Sequence, residues 1–191
     1  NSGITQVAGA GRITFQGNVT INEGTTASTF SGNVTLGNAA SGTGVTFSSQ
    51  RDVTFGTSSA NDVTIAGGPT SIQTTGTGGP LTFQSQIKGV QDHKDSQNLT
   101  IVSTARVVLG AKVGGTGASA DDRLQSLSVT AKGPSPLTIA QDIRTVGDIV
   151  LNVRENAAGG ANDDLMVNAG VVIDSSDGTS IELRAGDNVT L

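Results

Sequence analysis

The sequence predicts an all-β protein folded as a parallel β-helix, with three strands and about 27 residues in each rung. The first observation behind this prediction is a triplet, an apolar residue, a threonine and a second apolar residue, that recurs along the chain. Because side chains alternate between the two faces of a strand, both apolar residues of a triplet share one face. Such triplets begin at Val19, Val34, Val45, Val53, Val63, Leu81, Leu99, Leu137 and Val189.

The second observation is that the apolar positions fall on three tracks, whose successive members are mostly 24–30 residues apart. This spacing stacks residues one turn apart as parallel neighbours, separated by about 4.8 Å. The first track contains Val45, Ile72, Leu99 and Leu127, then Leu151 or Val153, then Ile181. The second track contains Val53, Leu81, Val107, Leu137, Leu165 and Val189. The third track contains Val63, Ile87, Val113, Ile143 and Val171.

The third observation is that Gly, Asn, Asp or Pro precedes most triplets, and these residues form turns between strands. No run of about a dozen residues shows the apolar spacing of an amphipathic helix. In residues 1–44 we expect Ile13, Val19, Phe30 and Val34 to point inward, but their repeat phase is not assigned. Residues 1–191 are interpreted as a single β-helical repeat segment of a longer chain.

The composition argues against several classes of protein. The chain contains 27 Gly and no Cys, and its formal net charge is −5. The absence of Cys excludes a disulfide scaffold and a thiolate metal site, and no cofactor is predicted. A negative charge with scattered Lys and Arg disfavours nucleic acid as a partner. No apolar run reaches the roughly 18 residues of a membrane-spanning helix, so no membrane span is expected.

An insertion interrupts the repeat at residues 91–98, and it contains the only histidine. An insertion at a corner of a rigid shaft projects as a loop, which is either a solvated decoration or, as is frequent for loops on rigid scaffolds, a functional one. The candidate contact residues are therefore Asp92, His93, Lys94 and Asp95. All four lie in one short polar loop without a second catalytic element. The sequence accordingly favours a protein that is not an enzyme and has no catalytic residues.

Two further connections, residues 110–123 and 154–164, are predicted to form corner loops, and each contains a pair of adjacent carboxylates. The pairs are Asp121 with Asp122 and Asp163 with Asp164, and carboxylate oxygens are ligands for Ca²⁺. Adjacent aspartates at the start of a strand also form turns, and the glycine-rich nonapeptide of calcium-dependent β-rolls is absent. No metal site is therefore predicted.

Basic residues recur on one outward position of the third track. Lys88 and Arg144 share this position, and Lys112 lies nearby. Enzymes that cleave acidic polysaccharides on a parallel β-helix need several carboxylates that converge with Arg or Lys on one exterior face. Only Asp142 is expected to accompany these cations, so the pattern favours a solvated face that discourages sheet association.

Turn-and-strand units such as "GNVTI", "NDVTI", "DDLMVNAG" and "SIELRAGDNVTL" resemble the repeat region of filamentous haemagglutinin-like exoproteins. The resemblance implies a right-handed β-helix from the shaft of a giant bacterial surface adhesin. The Asn-Pro-rich motifs of that family's secretion domain are absent from this sequence. The passenger domains of autotransporters use similar repeats and remain an alternative family.

The expected function is structural: a shaft or fibre-forming segment of a secreted bacterial surface adhesin or extracellular matrix filament, located outside the cell or on its surface. Expected partners are further copies, joined head to tail through exposed end rungs, and host or matrix glycans. One alternative is a carbohydrate-active β-helix enzyme of the polysaccharide lyase or hydrolase kind. The other is a non-catalytic carbohydrate-binding β-helix, which the absence of Trp and Tyr disfavours.

Overall fold

The computed structural model describes residues 4–6, 11–22, 26–75, 79–90, 97–115, 122–132, 136–154 and 162–191. The protein is all-β, and its parallel strands stack into a β-solenoid with about 28 residues per turn. The predicted fold class is therefore confirmed. Within the described ranges, no helix is long and apolar enough to cross a membrane.

The strands are short, as expected for a chain that turns a corner three times in each rung. In chain order they are β1 Thr5–Gln6, β2 Ile13–Phe15, β3 Val19–Ile21, β4 Ser28–Phe30, β5 Val34–Leu36, β6 Thr46–Ser49, β7 Val53–Phe55, β8 Asp62–Ile65, β9 Thr70–Thr74, β10 Leu81–Phe83, β11 Gln86–Lys88, β12 Asn98–Ser103, β13 Val107–Leu109, β14 Ser126–Lys132, β15 Leu137–Ile139, β16 Ile143–Thr145, β17 Ile149–Arg154, β18 Leu165–Val167, β19 Ile173–Ser175, β20 Ile181–Arg184 and β21 Val189–Thr190.

The strands form three walls, which we call sheets A, B and C. Sheet A has eight strands, in the order β1, β4, β7, β10, β13, β15, β18, β21. Sheet C has seven strands, in the order β3, β6, β9, β12, β14, β17, β20. Sheet B consists of β2, β5, β8 and β11 and of the pair β16 and β19. Val113 joins the two parts of sheet B by bridging in parallel to Ile87 and to Ile143.

The second predicted track is confirmed along its whole length, and it forms sheet A. The observed partners run in register from Val53 through Leu81, Val107, Leu137 and Leu165 to Val189. Each of these strands is only two or three residues long. A strand this short has little room to slip against its neighbour, so its register follows from the triplet itself.

The first predicted track places two members wrongly in sheet C: Ile72 lies two residues from the stacked position, and Leu151 and Val153 lie two and four residues from it. As a result, Ile72 pairs with Phe47 instead of Val45, and Ile181 pairs with Ile149. Ile72 pairs with Ile101, whereas Leu99 pairs with Thr70. Further along, Leu127 pairs with Ile149, so neither Leu151 nor Val153 is its partner. The strands here have five to seven residues and carry three inward positions each. A shift by two therefore keeps the same face buried, and the alternation alone cannot exclude it.

The third predicted track is correct from Val63 through Ile87 and Val113 to Ile143. Its last member is wrong, because Ile143 pairs with Ile173 and not with Val171. The connection between β18 and β19 is longer than the corresponding connections one and two turns earlier. The extra residues move the inward position along the chain.

The first turns, which had no assigned phase, continue the same three walls. Ile13 pairs with Val34, and Val34 with Val63, in sheet B. Val19 pairs with Phe47 in sheet C. The inward orientation expected for these residues is confirmed, since they pack in or against the buried core.

A column of phenylalanines fills the first half of the core. The rings of Phe30, Phe55 and Phe83 are stacked, with centroids 5.2 Å and 5.1 Å apart. Phe15 and Phe47 pack edge-on against Phe30, in each case with centroids 5.8 Å apart. Aromatic pairs contribute about 0.5–1.5 kcal/mol beyond the burial of their area. This column therefore stabilises the stacking of successive turns.

Candidate functional site

The two residues that flank the predicted insertion loop, Val90 and Gln97, are joined by hydrogen bonds. The side chain of Gln97 is fully buried; its Nε2 donates to the carbonyl of Val90 at 2.7 Å, and its Oε1 accepts the Val90 N–H at 2.9 Å. Gly89 leaves room for this amide, since a Cβ there would collide with Gln97 Oε1. The candidate residues Asp92, His93, Lys94 and Asp95 lie outside the described residues. The sequence reasoning missed Gln97, which ties the two ends of the insertion together.

Replacing Gln97 with alanine is expected to destabilise the fold by about 2 kcal/mol, because it removes two hydrogen bonds and leaves the partly buried N–H and carbonyl of Val90 without these partners. Urea unfolding followed by circular dichroism measures this loss. The control is Gln84→Ala, which shortens an exposed glutamine between β10 and β11. Equal midpoints for the two variants would contradict the assigned role of Gln97.

Aspartates at the start of strands serve the solenoid itself. In three of them, one carboxylate oxygen accepts a backbone N–H from the following turn. The pairs are Asp142 with Val172 (3.0 Å), Asp148 with Ser180 (3.0 Å) and Asp164 with Asn188 (3.2 Å). In the described ranges, no three His, Cys, Asp or Glu side chains are grouped so that they could hold a metal ion.

The outward face of sheet B, which carries Lys88 and Arg144, contains more carboxylates than the sequence predicted. The ion pairs are Lys88 with Asp62 (2.6 Å), Arg144 with Asp142 (3.6 Å) and Arg123 with Asp174 (3.3 Å). The expectation that only Asp142 accompanies the cations is therefore wrong. Asp62 aligns with Gln86, and Asp174 aligns with Arg144, once the strands are in register. The corrected position of β19 brings Asp174 to this face.

A groove of about 370 Å³ lies on the corner where sheet A turns into sheet B. Its lining residues are Ser59, Gln86, Gly110, Ala111, Lys112 and Gln141. They come from four successive turns, so the groove runs along the axis of the solenoid. The connections at residues 84–85, 110–112 and 140–142 are short, whereas the connection at residues 56–61, which contributes Ser59 to one wall of the groove, is longer.

The wall at residues 56–61 is fixed to the turns on either side. Asn61 Nδ2 donates to the carbonyl of Ser31 at 2.6 Å, and Ser85 Oγ donates to the carbonyl of Ser58 at 3.3 Å. Gly56 starts this connection with a φ of +80°, and a Cβ at that position would collide with Ser85 Oγ. The groove is therefore bounded by hydrogen-bonded backbone.

The two ends of the core are apolar and less buried than its middle. The partly buried apolar side chains that pack against the core are Ile4, Ile13, Phe15, Val19 and Ile21 in the first turn and Val171, Ile173, Leu183 and Ala185 in the last. A mainly apolar cavity of about 280 Å³ lies at the last turn, where Ile173, Leu183 and Leu191 are among its lining residues. Both end surfaces are therefore apolar, as the buried core is.

Comparisons with known proteins identify no relative. No family model, no curated protein and no solved structure matches this chain.

Proposed function

We propose that the chain is a structural shaft or fibre-forming segment of a secreted bacterial surface adhesin or extracellular matrix filament, of the filamentous haemagglutinin-like kind. The observation that carries this proposal is the uniform section of the solenoid. The same three walls and the same apolar core continue from the first turn to the last.

A solenoid of this kind suits a load-bearing role for a physical reason. One turn alone cannot bury its apolar side, so each turn is stabilised by the turns above and below it. The ladders of hydrogen bonds between successive turns run along the axis and recur on all three walls. Length can therefore increase by adding turns, while the section and its packing stay the same.

The outer surface agrees with a non-catalytic role in the extracellular space. Short polar residues occupy the outward positions of many strands, for example Thr54, Thr82 and Thr138 in sheet A. Asp142, Asp148 and Asp164 accept backbone hydrogen bonds, and Asp62 pairs with Lys88, so these carboxylates take part in building the shaft.

A fusion that extends the solenoid in phase tests this proposal. Val53 and Val189 occupy equivalent positions of sheet A, so joining Leu191 to Gly56 of a second, shortened copy continues the order of the walls. The added turns are expected to lengthen the particle by roughly 24 Å, at about 4.8 Å per turn, with an unchanged cross-section. Small-angle X-ray scattering measures both dimensions.

The matched control joins Leu191 to Gly67, which omits one strand of sheet B and breaks the order of the walls. We expect this control to show a wider or more flexible particle. A fusion in phase that behaves like the control would overturn the shaft proposal. To test location, an antibody against the chain should label intact cells of the source bacterium; labelling only after lysis would contradict a surface position.

A further inference from the structure

The groove between sheets A and B is lined by a cation, Lys112, for which the described residues supply no carboxylate within ion-pair distance. Among the described residues, Lys88 and Arg144 on the same face each have a carboxylate within ion-pair distance, and no such partner is found for Lys112. Lys112 lines the groove, and Lys88 and Arg144 do not. The ammonium group of Lys112 therefore lies where a ligand would contact it.

The nearest carboxylate in the register is already engaged. Val113 bridges to Ile143, so Lys112 is aligned with Asp142 of the next turn. Asp142 accepts the backbone N–H of Val172 at 3.0 Å and lies 3.6 Å from Arg144 Nη2. The carboxylate of Asp142 therefore contacts Arg144 in its own turn and Val172 in the following turn, and neither contact is with Lys112. Lys112 consequently keeps its ammonium group available.

The other side chains of the groove offer neutral hydrogen-bonding groups. Gln141 and Ser59 are exposed and supply an amide and a hydroxyl on opposite sides of Lys112 along the axis. Gln86 is held in place because its Nε2 donates to Asp62 Oδ1 at 2.5 Å. Amides and hydroxyls both donate and accept, as the hydroxyl groups of a sugar do.

We propose that this groove binds an oligosaccharide that carries carboxylate groups, such as a chain of uronic acids. Lys112 pairs with one carboxylate, and the exposed side chains of Ser59 and Gln141 form hydrogen bonds with hydroxyl groups of the flanking sugars. The groove follows the solenoid axis over four turns, which suits an extended chain of sugars. This binding is additional to the shaft function and does not depend on it.

An extended peptide fits this surface less well. Peptides that bind to sheets usually pair with an unoccupied strand edge. Here β11 pairs with β8 on one side and is bridged through Ile87 to Val113 on the other, so no edge is open beneath the groove. The described residues that line the groove include no aromatic ring on which a sugar could stack. The binding is therefore expected to be weak, with a dissociation constant on the order of 1 mM.

Titration of the isotope-labelled protein with trigalacturonate, followed by amide chemical shifts, tests the proposal. The largest shifts are expected at Gly110, Ala111, Lys112 and Gln141. Lys112→Ala is expected to weaken binding about tenfold, the loss of one charge-assisted contact. The matched control, Lys132→Ala, removes an exposed lysine from sheet C and is expected to leave the affinity unchanged. Added salt should weaken the binding, because the charge contact is exposed to solvent.

A second variant, Gln141→Glu, places a negative charge in the groove and should weaken binding at least as much, whereas Gln73→Glu on sheet C should not. Neutral maltotriose and a triglutamate peptide are titrated alongside. The proposal is overturned if either of them produces the same shifts with equal affinity, if Lys112→Ala binds like the parent, or if trigalacturonate causes no shifts at 20-fold its expected dissociation constant.

Discussion

Replacing Leu137 with aspartate is expected to unfold the turns around it. Leu137 is fully buried in sheet A, where it pairs with Val107 on one side and Leu165 on the other. A carboxylate at this position has no cation or N–H within the core to compensate for its lost hydration. The cost is about 5 kcal/mol or more, a large part of the roughly 5–15 kcal/mol that stabilises a typical domain.

The neighbouring residue provides a matched control. Thr138 lies on the same strand but points outward, so Thr138→Asp adds the same charge without burying it. We expect this control to change stability by less than about 1 kcal/mol. Urea unfolding gives the comparison, and hydrogen exchange should show lost protection in β13, β15 and β18 of Leu137→Asp. Similar midpoints for the two variants would mean that Leu137 does not face a continuous core.

The accuracy of the sequence prediction depended on the length of the strands in each wall. Strands of sheet A, such as Leu81–Phe83, offer one pair of inward positions, so the triplets alone predict the correct register. Strands of sheet C, such as Asn98–Ser103, offer Leu99, Ile101 and Ser103 on the inward face. Choosing between Leu99 and Ile101 as the partner of Ile72 requires the lengths of the corners, which the triplets do not contain.

The groove could not be predicted from the triplets either, because it also depends on the lengths of the corners. The sequence identifies Lys112 as a cation near Lys88 and Arg144. That no carboxylate among the described residues pairs with Lys112 depends on the contacts that Asp142 makes elsewhere. The depression itself arises because three short corners follow the longer one at residues 56–61. The lengths of equivalent corners in successive turns can be compared only after every strand is assigned to its wall.

The isolated 191-residue chain is expected to associate end to end and elongate with increasing concentration. The last turn exposes apolar side chains of the inward tracks, including Ile181 and Val189, at 44 % and 43 %. The first turn presents partly buried Phe15 and Ile21. Among the described strands, those at the two ends of each sheet pair on one side only. An open strand edge invites further pairing, and contact between two different ends repeats into a filament instead of closing. Sedimentation velocity at several concentrations measures the growth.

Charges placed on the end of the core should abolish this growth. Ile181→Lys combined with Val189→Lys puts two ammonium groups where a second copy would bury them, and we expect association to weaken by at least about 100-fold. Met166 is 41 % exposed but lies on the outward face of β18. Met166→Lys therefore adds charge at similar exposure without blocking the end, and it should elongate like the parent. If the parent chain stays monomeric at high concentration, or the double variant still elongates, the end surfaces do not drive assembly.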